Sequence, residues 1–521
     1  MLTIVRYTIM LVKTFCCAIQ GIEAYTVSVE VDIQPGTKTF IAGLPDNAVK
    51  ESIERIRSAL VHNGFRYPGR RVVINLAPAD MKKEGSAYDL AISIAVLAAS
   101  HQIESERLSE IMIVGELSLD GTVAPVKGAL SAAIEARKNN FKGIIVPAEN
   151  AHEASVVEGL QVYPLHDIRQ VVQFLEGTTD MMPCPSGYAV NEEKGAPYPV
   201  DFSDVKGQEN VKRVMEIAAA GGHNVIMIGP PGSGKTMLAR RLPTILPPMS
   251  LDEALETTKI HSVSGKLPQG TGMLNNRPFR SPHHTCSDVA LIGGGTYPQP
   301  GEISLAHNGV LFLDELPEFK RTALEVMRQP LEDRIVTISR ARFTVDYPAS
   351  VMLIAAMNPC PCGYYNHPDK ECTCAPGSIR RYLSRISGPL LDRIDIHIEV
   401  TPVPFSSLTD KKKSESSQTV RDRVIAARNI QQDRYSEQGQ ISCNAQLTPA
   451  LMKKHCQLKP EGEQLLQKAM DMLKLSARAY DRILKVARTI ADIENSENIE
   501  NHHLAEAIQY RSLDRETWGM V

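Results

Sequence analysis

Residues 229–236 read Gly229-Pro230-Pro231-Gly232-Ser233-Gly234-Lys235-Thr236. Glycine alone enters left-handed backbone without strain, so Gly229, Gly232 and Gly234 let the chain curl its N–H groups around phosphate oxygens. Lys235 then reaches the β- and γ-phosphates of a nucleoside triphosphate, and the Thr236 hydroxyl ligates Mg2+. A second run, Val310-Leu311-Phe312-Leu313, ends in Asp314-Glu315. Four apolar residues suit a buried strand that delivers Asp314 to the metal and Glu315 to the attacking water. Asn358 ends a third apolar run, 350–357, where its amide can sense a γ-phosphate, hold the lytic water, or simply serve as a turn residue. Arg393, in Asp392-Arg393-Ile394-Asp395, suits an arginine finger supplied to a neighbouring subunit's ATP; the plainer use is a surface ion pair with Asp392 or Asp395. Arg478 opens a helical pattern with Ala479, Ile483, Val486 and Ile490 on one face, from which it can touch the nucleotide of its own chain. The chemistry these groups imply is Mg2+-dependent ATP hydrolysis.

The spacing also predicts the elements that hold them. The apolar run 224–228 reads as a buried parallel strand and 237–242 as a helix, so the glycine loop lies at a helix N-terminus, where the dipole favours anions. Residues 1–180 alternate strand-like runs (26–31, 71–76, 143–146) with helical ones (47–62, 87–99, 130–138), an α/β pattern with no phosphate loop. A stretch rich in Pro, Gly and charge marks a linker at 181–199. The nucleotide block then covers 200–402. A polar stretch at 406–419, with Lys411-Lys412-Lys413, leads into a helical lid within 403–521. The fold class is α/β with a C-terminal α-helical domain.

A chain of 521 residues holds about three domains. The net charge of −3 excludes a whole-molecule basic field, so any polyanion site must be local. Ten cysteines spread over this length do not form a secreted disulfide framework, and an ATP site implies a reducing cytosol. Residues 1–19 read as the first strand of the N-terminal domain, because Arg6 and Lys13 interrupt an apolar stretch too short to span a bilayer. The expected place is the cytoplasm, without membrane contact. Cys360-Pro361-Cys362 and Cys372-Thr373-Cys374, with His367 between, suit a tetrahedral structural Zn2+. One-residue spacers make a tighter chelate than the common two-residue knuckle, and a metal-free loop with free or redox-active thiols is the alternative. Runs 335–339 and 343–347, joined through Arg340-Ala341-Arg342, predict a hairpin.

The phosphate loop is followed by Arg277-Pro278-Phe279-Arg280-Ser281-Pro282-His283-His284, then Gly309-Val310-Leu311-Phe312-Leu313-Asp314-Glu315. Next come Ala355-Ala356-Met357-Asn358-Pro359-Cys360-Pro361-Cys362-Gly363 and Gly388-Pro389-Leu390-Leu391-Asp392-Arg393. In this order the motifs resemble the magnesium-chelatase-like AAA+ family, in its ComM (YifB) branch. The resemblance covers nearly the whole chain. It implies a homo-oligomeric ring, usually a hexamer, and a DNA helicase acting in branch migration while transforming DNA is integrated. Single-stranded and branched DNA are the implied partners. In the related helicases the hairpin projects into the pore, where Arg340 and Arg342 would meet phosphates in a sequence-independent, salt-sensitive contact; a solvated tip is the alternative. Residues 277–284 form the family's insertion before the acidic strand and line the pore or pack on the next subunit.

Residues 20–175 resemble the Lon-protease fold through Gly115-Glu116-Leu117-Ser118-Leu119-Asp120-Gly121, Pro125-Val126-Lys127-Gly128 and Lys83-Glu84-Gly85-Ser86-Ala87. That chemistry needs a serine activated by a lysine. The serine position falls on Ala87 and the lysine position on Leu130, with Ser86 and Lys127 out of register, so no peptidase activity is expected. The domain is expected to pack between subunits or to grip DNA with a face including Arg70, Arg71, Lys82 and Lys83. The rival readings are a metal-insertion motor, as in magnesium chelatase, and a chaperone-like ring with a protein client.

Overall fold

The computed structural model describes residues 11–104, 106–185, 198–295, 297–340, 343–365, 367, 369–403, 414–438 and 441–511. The start of the expected first strand, most of the expected linker, Lys411-Lys412-Lys413 and Arg342 lie outside the described residues. The chain divides into two compact units, Met1–Gly195 with Ala254–Leu274, and Ala196–Glu253 with Asn275–Val521.

In the first unit, alternation builds the sheet. Val27, Val29 and Val31 are fully buried while the residues between them are partly exposed, the period of two that a half-covered strand requires. Among the described residues a seven-stranded sheet runs in the order Thr39–Ala42, Arg71–Ala77, Glu23–Gln34, Val12–Gln20, Ile111–Ile113, Gly143–Pro147, Gln161–Leu165. Val12–Gln20 and Glu23–Gln34 form an antiparallel hairpin, and the last three strands continue from Val12–Gln20 in parallel. Asp89–Ala99 is apolar on every side and buried throughout, packed on the two hairpin strands. Asn47–His62 starts where the Asp46 carboxylate accepts the Val49 N–H at 2.8 Å. The strands Glu23–Gln34, Arg71–Ala77 and Gly143–Pro147 and the helices Asn47–His62, Asp89–Ala99 and Ala129–Lys138 fall within two or three residues of the expected runs, whereas Thr39–Ala42, Ile111–Ile113 and Gln161–Leu165 are strands that the periodicity does not single out.

The segment Ala254–Leu274 counts with this unit although its sequence lies inside the nucleotide block. It includes most of the helix Leu251–Ser264, whose buried side is largely polar: Thr257 and Thr258 are fully buried. The Leu274 N–H donates to Thr258 Oγ1 at 3.0 Å, and Lys259 Nζ lies 3.0 Å from Glu23.

The second unit is organised around a five-stranded parallel sheet in the order Phe279–Arg280, Val310–Leu313, Met352–Met357, Val225–Ile228, Ile396–Glu399. Its three central strands, Val310–Leu313, Met352–Met357 and Val225–Ile228, read as continuous apolar runs because parallel sheets are covered on both faces. Helices Ser417–Tyr435, Ala477–Ile493 and Asn501–Gln509 belong to the same unit and share one hydrophobic core with the sheet, where Val424, Ile483 and Ile490 meet Val214, Ile217 and Val225. Ser476 caps Ala477–Ile493 by accepting the Ala479 N–H at 3.2 Å, and Ala479, Ile483, Val486 and Ile490 form its buried stripe, as the sequence pattern requires. Among the described residues no helix is long and apolar enough to cross a membrane.

A shared core predicts shared unfolding. Ile490→Ala should lower the unfolding free energy by about 3 kcal/mol. Far-UV circular dichroism in urea should show the sheet and these helices melting together; a separate early transition of the helices would contradict the single core.

Candidate nucleotide site

The phosphate loop leaves the end of Val225–Ile228 and turns into the helix Lys235–Arg241. Gly229 is required by contact, since a Cβ there would stand 2.2 Å from the Val400 carbonyl oxygen. Gly232 (φ +79°) and Gly234 (φ +88°) are left-handed, and a Cβ on Gly232 would meet nothing within 4 Å. The loop thus has an open face, as a phosphate cradle needs. Lys235 is nearly buried, its ammonium donating to the carbonyls of Gly229 at 2.7 Å and Pro230 at 2.9 Å, with Asn358 Oδ1 at 3.4 Å. Burial pulls its pKa below the ordinary lysine value, with Asp314 opposing.

From the first turn of that helix, Thr236 Oγ1 donates to Asp314 Oδ2, just past the end of Val310–Leu313, at 2.7 Å, bringing two hard oxygen donors together beside the lysine. This donor set suits Mg2+, which takes carboxylate, hydroxyl and phosphate oxygens. Glu315 follows in left-handed backbone (φ +52°), half exposed, its carboxylate 2.9 Å from His284 Nδ1. Sequence reasoning placed His284 in the pore or on a neighbour, whereas here it holds the glutamate assigned to the water. Arg277 and Arg280 of the same segment are engaged inside the chain, by Glu253 and by Glu302 respectively.

Arg393 is 5% exposed. Its Nη2 lies 2.7 Å from Glu332 and its Nη1 donates to the Pro389 carbonyl at 2.7 Å, so the partner is neither Asp392 nor Asp395. Asp395 is instead buried against Arg482 at 2.9 Å, and accepts the Asn224 N–H at 2.9 Å. Arg478 is exposed in the first turn of Ala477–Ile493.

The predicted hairpin is present as Ile335–Arg340 paired with Phe343–Pro348. Val336, Ile338 and Tyr347 are buried, and the Tyr347 hydroxyl donates to the Pro298 carbonyl at 2.8 Å, which anchors the base. Arg340 is exposed at the far end, its guanidinium beside Gly294. The four cysteines do gather: Cys360 Sγ lies 3.4 Å from Cys362 and 3.7 Å from Cys372, with Cys362 and Cys372 3.6 Å apart and all four sulfurs within 4.8 Å of one another. Burial would raise the Cys362 thiol, but N–H groups of Tyr364 and Thr373 and the neighbouring Cys360 and Cys374 bring it down to about 6.

In the first unit, Ser86 donates to the Glu116 carboxylate, Ala87 is half-buried and Leu130 is buried in the core. The expected cationic face is smaller than the sequence suggested. Lys83 is fully buried and donates to the carbonyls of Met81 at 2.7 Å and of Pro78, while Lys82 pairs with Glu84 at 2.6 Å.

Family profiles match three stretches of the chain. The family profile "Magnesium chelatase, subunit ChlI" matches residues 201–408, "Subunit ChlI of Mg-chelatase" matches 29–150, and the C-terminal ChlI profile matches 414–511. The chain is 46% identical over 500 residues to a protein named YifB from Escherichia coli, covering 95% of this chain and 96% of that protein. It is 44% identical over 507 residues to the competence protein ComM of Haemophilus influenzae, covering 96% and 97%. A shorter match, 32% identical over 160 residues and 28% of each chain, is to Lon protease 2 of Bacillus subtilis.

Asp395 gives the second unit a pH signature. Burial alone would raise its carboxyl, but Arg482, His223 and the Asn224 N–H outweigh burial and hold it well below the usual carboxylate range. With the folded pKa under the unfolded value of about 3.9, its contribution is complete above that pH and is lost as pH falls toward the folded pKa. Asp395→Asn should cost about 3–5 kcal/mol near neutral pH by stranding Arg482. Below about pH 4 its stability should fall less steeply than that of the wild type. Urea midpoints across this range read both effects; parallel acid slopes would reject the assignment.

Proposed function

The chain belongs to the magnesium chelatase ChlI family, in its ComM and YifB branch, and from that premise we propose that it is an ATP-driven, ring-forming DNA helicase or translocase. Its work would be branch migration during homologous recombination of incoming DNA, in the cytoplasm, as a homo-oligomer and most simply a hexamer. One observation carries this reading. The unit that brings Lys235, Thr236, Asp314 and Glu315 together also inserts a hairpin ending in exposed Arg340 between the Asp314 strand and the Asn358 strand, which are paired neighbours in the sheet. A shift at either strand end is therefore carried to a cation that meets phosphates.

In this reading the loop from Gly229 to Gly234, with Pro230, Pro231 and Ser233 shaping its backbone, receives the triphosphate, and the Lys235 ammonium exchanges loop carbonyls for β- and γ-phosphate oxygens. Thr236 and Asp314 hold Mg2+, which supplies charge neutralisation across the phosphates when bound. Glu315, once free of His284, orients and polarises the attacking water, and Asn358 fixes the γ-phosphate side of the site. Arg478 approaches from its own chain. Arg393 completes the site of a neighbour by exchanging Glu332 for phosphate. Arg340 and Arg342 grip the DNA backbone, and the four cysteines hold a structural Zn2+.

Lys235→Ala should abolish ATP hydrolysis and the migration of three-stranded DNA branches. Arg340→Ala should weaken DNA stimulation of the ATPase and flatten the salt dependence of DNA affinity by about one in log–log slope. A wild-type ATPase indifferent to single-stranded and branched DNA would overturn the helicase reading.

A further inference from the structure

The four-thiol cluster is joined to the phosphate loop through contacts that give it more than a local role. The sulfur separations among Cys360, Cys362 and Cys372, 3.4, 3.6 and 3.7 Å, approach the ~3.8 Å edge of a tetrahedron with Zn–S bonds of ~2.3 Å. They lie far beyond the ~2.05 Å of a disulfide, and all four thiols are free. Cys362 N–H points at Cys374 Sγ, 3.4 Å away, a donor of the kind that supports a thiolate ligand. His367 stands outside the set: its Nδ1 accepts the Asp369 N–H at 3.0 Å.

Two paths lead from the sulfurs to the nucleotide. Gly363 directly follows Cys362, its N–H donating to the Cys360 carbonyl at 3.0 Å in a closed turn. Its φ is +84°, and a Cβ there would stand 2.5 Å from Cδ of Pro231. The turn held by two of the thiols thus lies directly against the phosphate loop. Cys360, fully buried, comes two residues after Asn358, whose Oδ1 lies 3.4 Å from Lys235 Nζ. The Asn358 backbone is in turn hydrogen-bonded to Tyr382.

We propose that Cys360, Cys362, Cys372 and Cys374 bind one Zn2+ and that this ion is a strut for the nucleotide site, seating the Cys360–Gly363 turn on Pro231 and Asn358 on Lys235. Each thiol gives up its proton on ligation, and the metal replaces loop entropy with a fixed turn. Nucleotide affinity therefore depends on the metal. The inference rests on the ATP site of the proposed function and is independent of its DNA half.

The test uses the full chain without DNA. Mass spectrometry of metals should find about one zinc per chain, and cobalt loading should give the absorption of a tetrahedral thiolate site. Cys372→Ser combined with Cys374→Ser should remove the metal and raise the Kd for a fluorescent ATP analogue by about tenfold, within the ~5–150-fold range of coupled sites. Gly363→Ala should keep the metal and raise the Kd similarly, which keeps the test open if the cysteine variant fails to fold. A zinc-free wild-type chain, or a Gly363→Ala protein with wild-type affinity, would overturn the strut. A wild-type protein that carries zinc but binds no ATP analogue would instead sink the ATP reading.

Discussion

The parallel pairing of Val225–Ile228 between two other strands is the constraint on which the nucleotide site depends. Ile228 stands opposite Met357 on one side and Glu399 on the other, while Leu313 stands opposite Ala355. This register brings Gly229, Asn358 and Asp314 out of the sheet at the same edge. A slip of one residue would turn every side chain of a strand to the opposite face, and full burial of the apolar runs on both faces resists it. The 2.7 Å approach of Thr236 to Asp314 and the reach of Lys235 toward Asn358 follow from that register rather than from affinity between those groups.

At the opposite end of the sheet, Asn224 performs a corresponding task. Its N–H donates to Asp395, its side-chain carbonyl accepts the Leu353 N–H at 2.8 Å, and its amide lies 3.3 Å from the Arg393 carbonyl. Three strands are thereby fastened where they begin. Asp395 passes the connection to Arg482 and so to the helix carrying Arg478, while His223 bonds Thr489 of the same helix at 2.7 Å. A buried carboxylate is tolerable only with such partners. The helix carrying Arg478 is thus referenced to the sheet by polar contacts and by core packing together.

What the sequence revealed is what local pattern determines. The phosphate loop, the Asp314 strand, the Arg340 hairpin and the stripe from Ala479 to Ile490 are all local periodicities or fixed spacings, and each lies where expected. Pairings between distant positions were not legible. Between His284 and Glu315 lie the helices Asp288–Ile292 and Glu302–Leu305, a short hairpin and the strand Val310–Leu313, and nothing in its composition tells a pore histidine from one beside a carboxylate. Lys83 reads as a surface cation until its ammonium is seen on backbone carbonyls. The helix within Ala254–Leu274 buries threonines, so it lacks the apolar stripe that would have tied it to a core. A sequence signal for His284 did exist in its adjacency to the Phe279–Arg280 strand, which pairs with the Asp314 strand and brings the following residues toward that strand's end.

The two arginines assigned to the triphosphate meet very different energetic conditions. Arg478 is exposed, so reaching a nucleotide costs it little beyond side-chain entropy. Arg393 is sheltered, with one carboxylate and one carbonyl as partners and its Nε buried without a hydrogen bond among the described residues. Removing Glu332 with nothing in its place would strand a buried cation, a loss of several kcal/mol. Exchanging Glu332 for a phosphate keeps the charge paired, and because the Glu332 side chain is 43% exposed it regains water on release. In the finger role, then, Arg393 would move only when a phosphate arrives with a neighbouring subunit. Glu332 would keep the cation from other anions until that assembly forms.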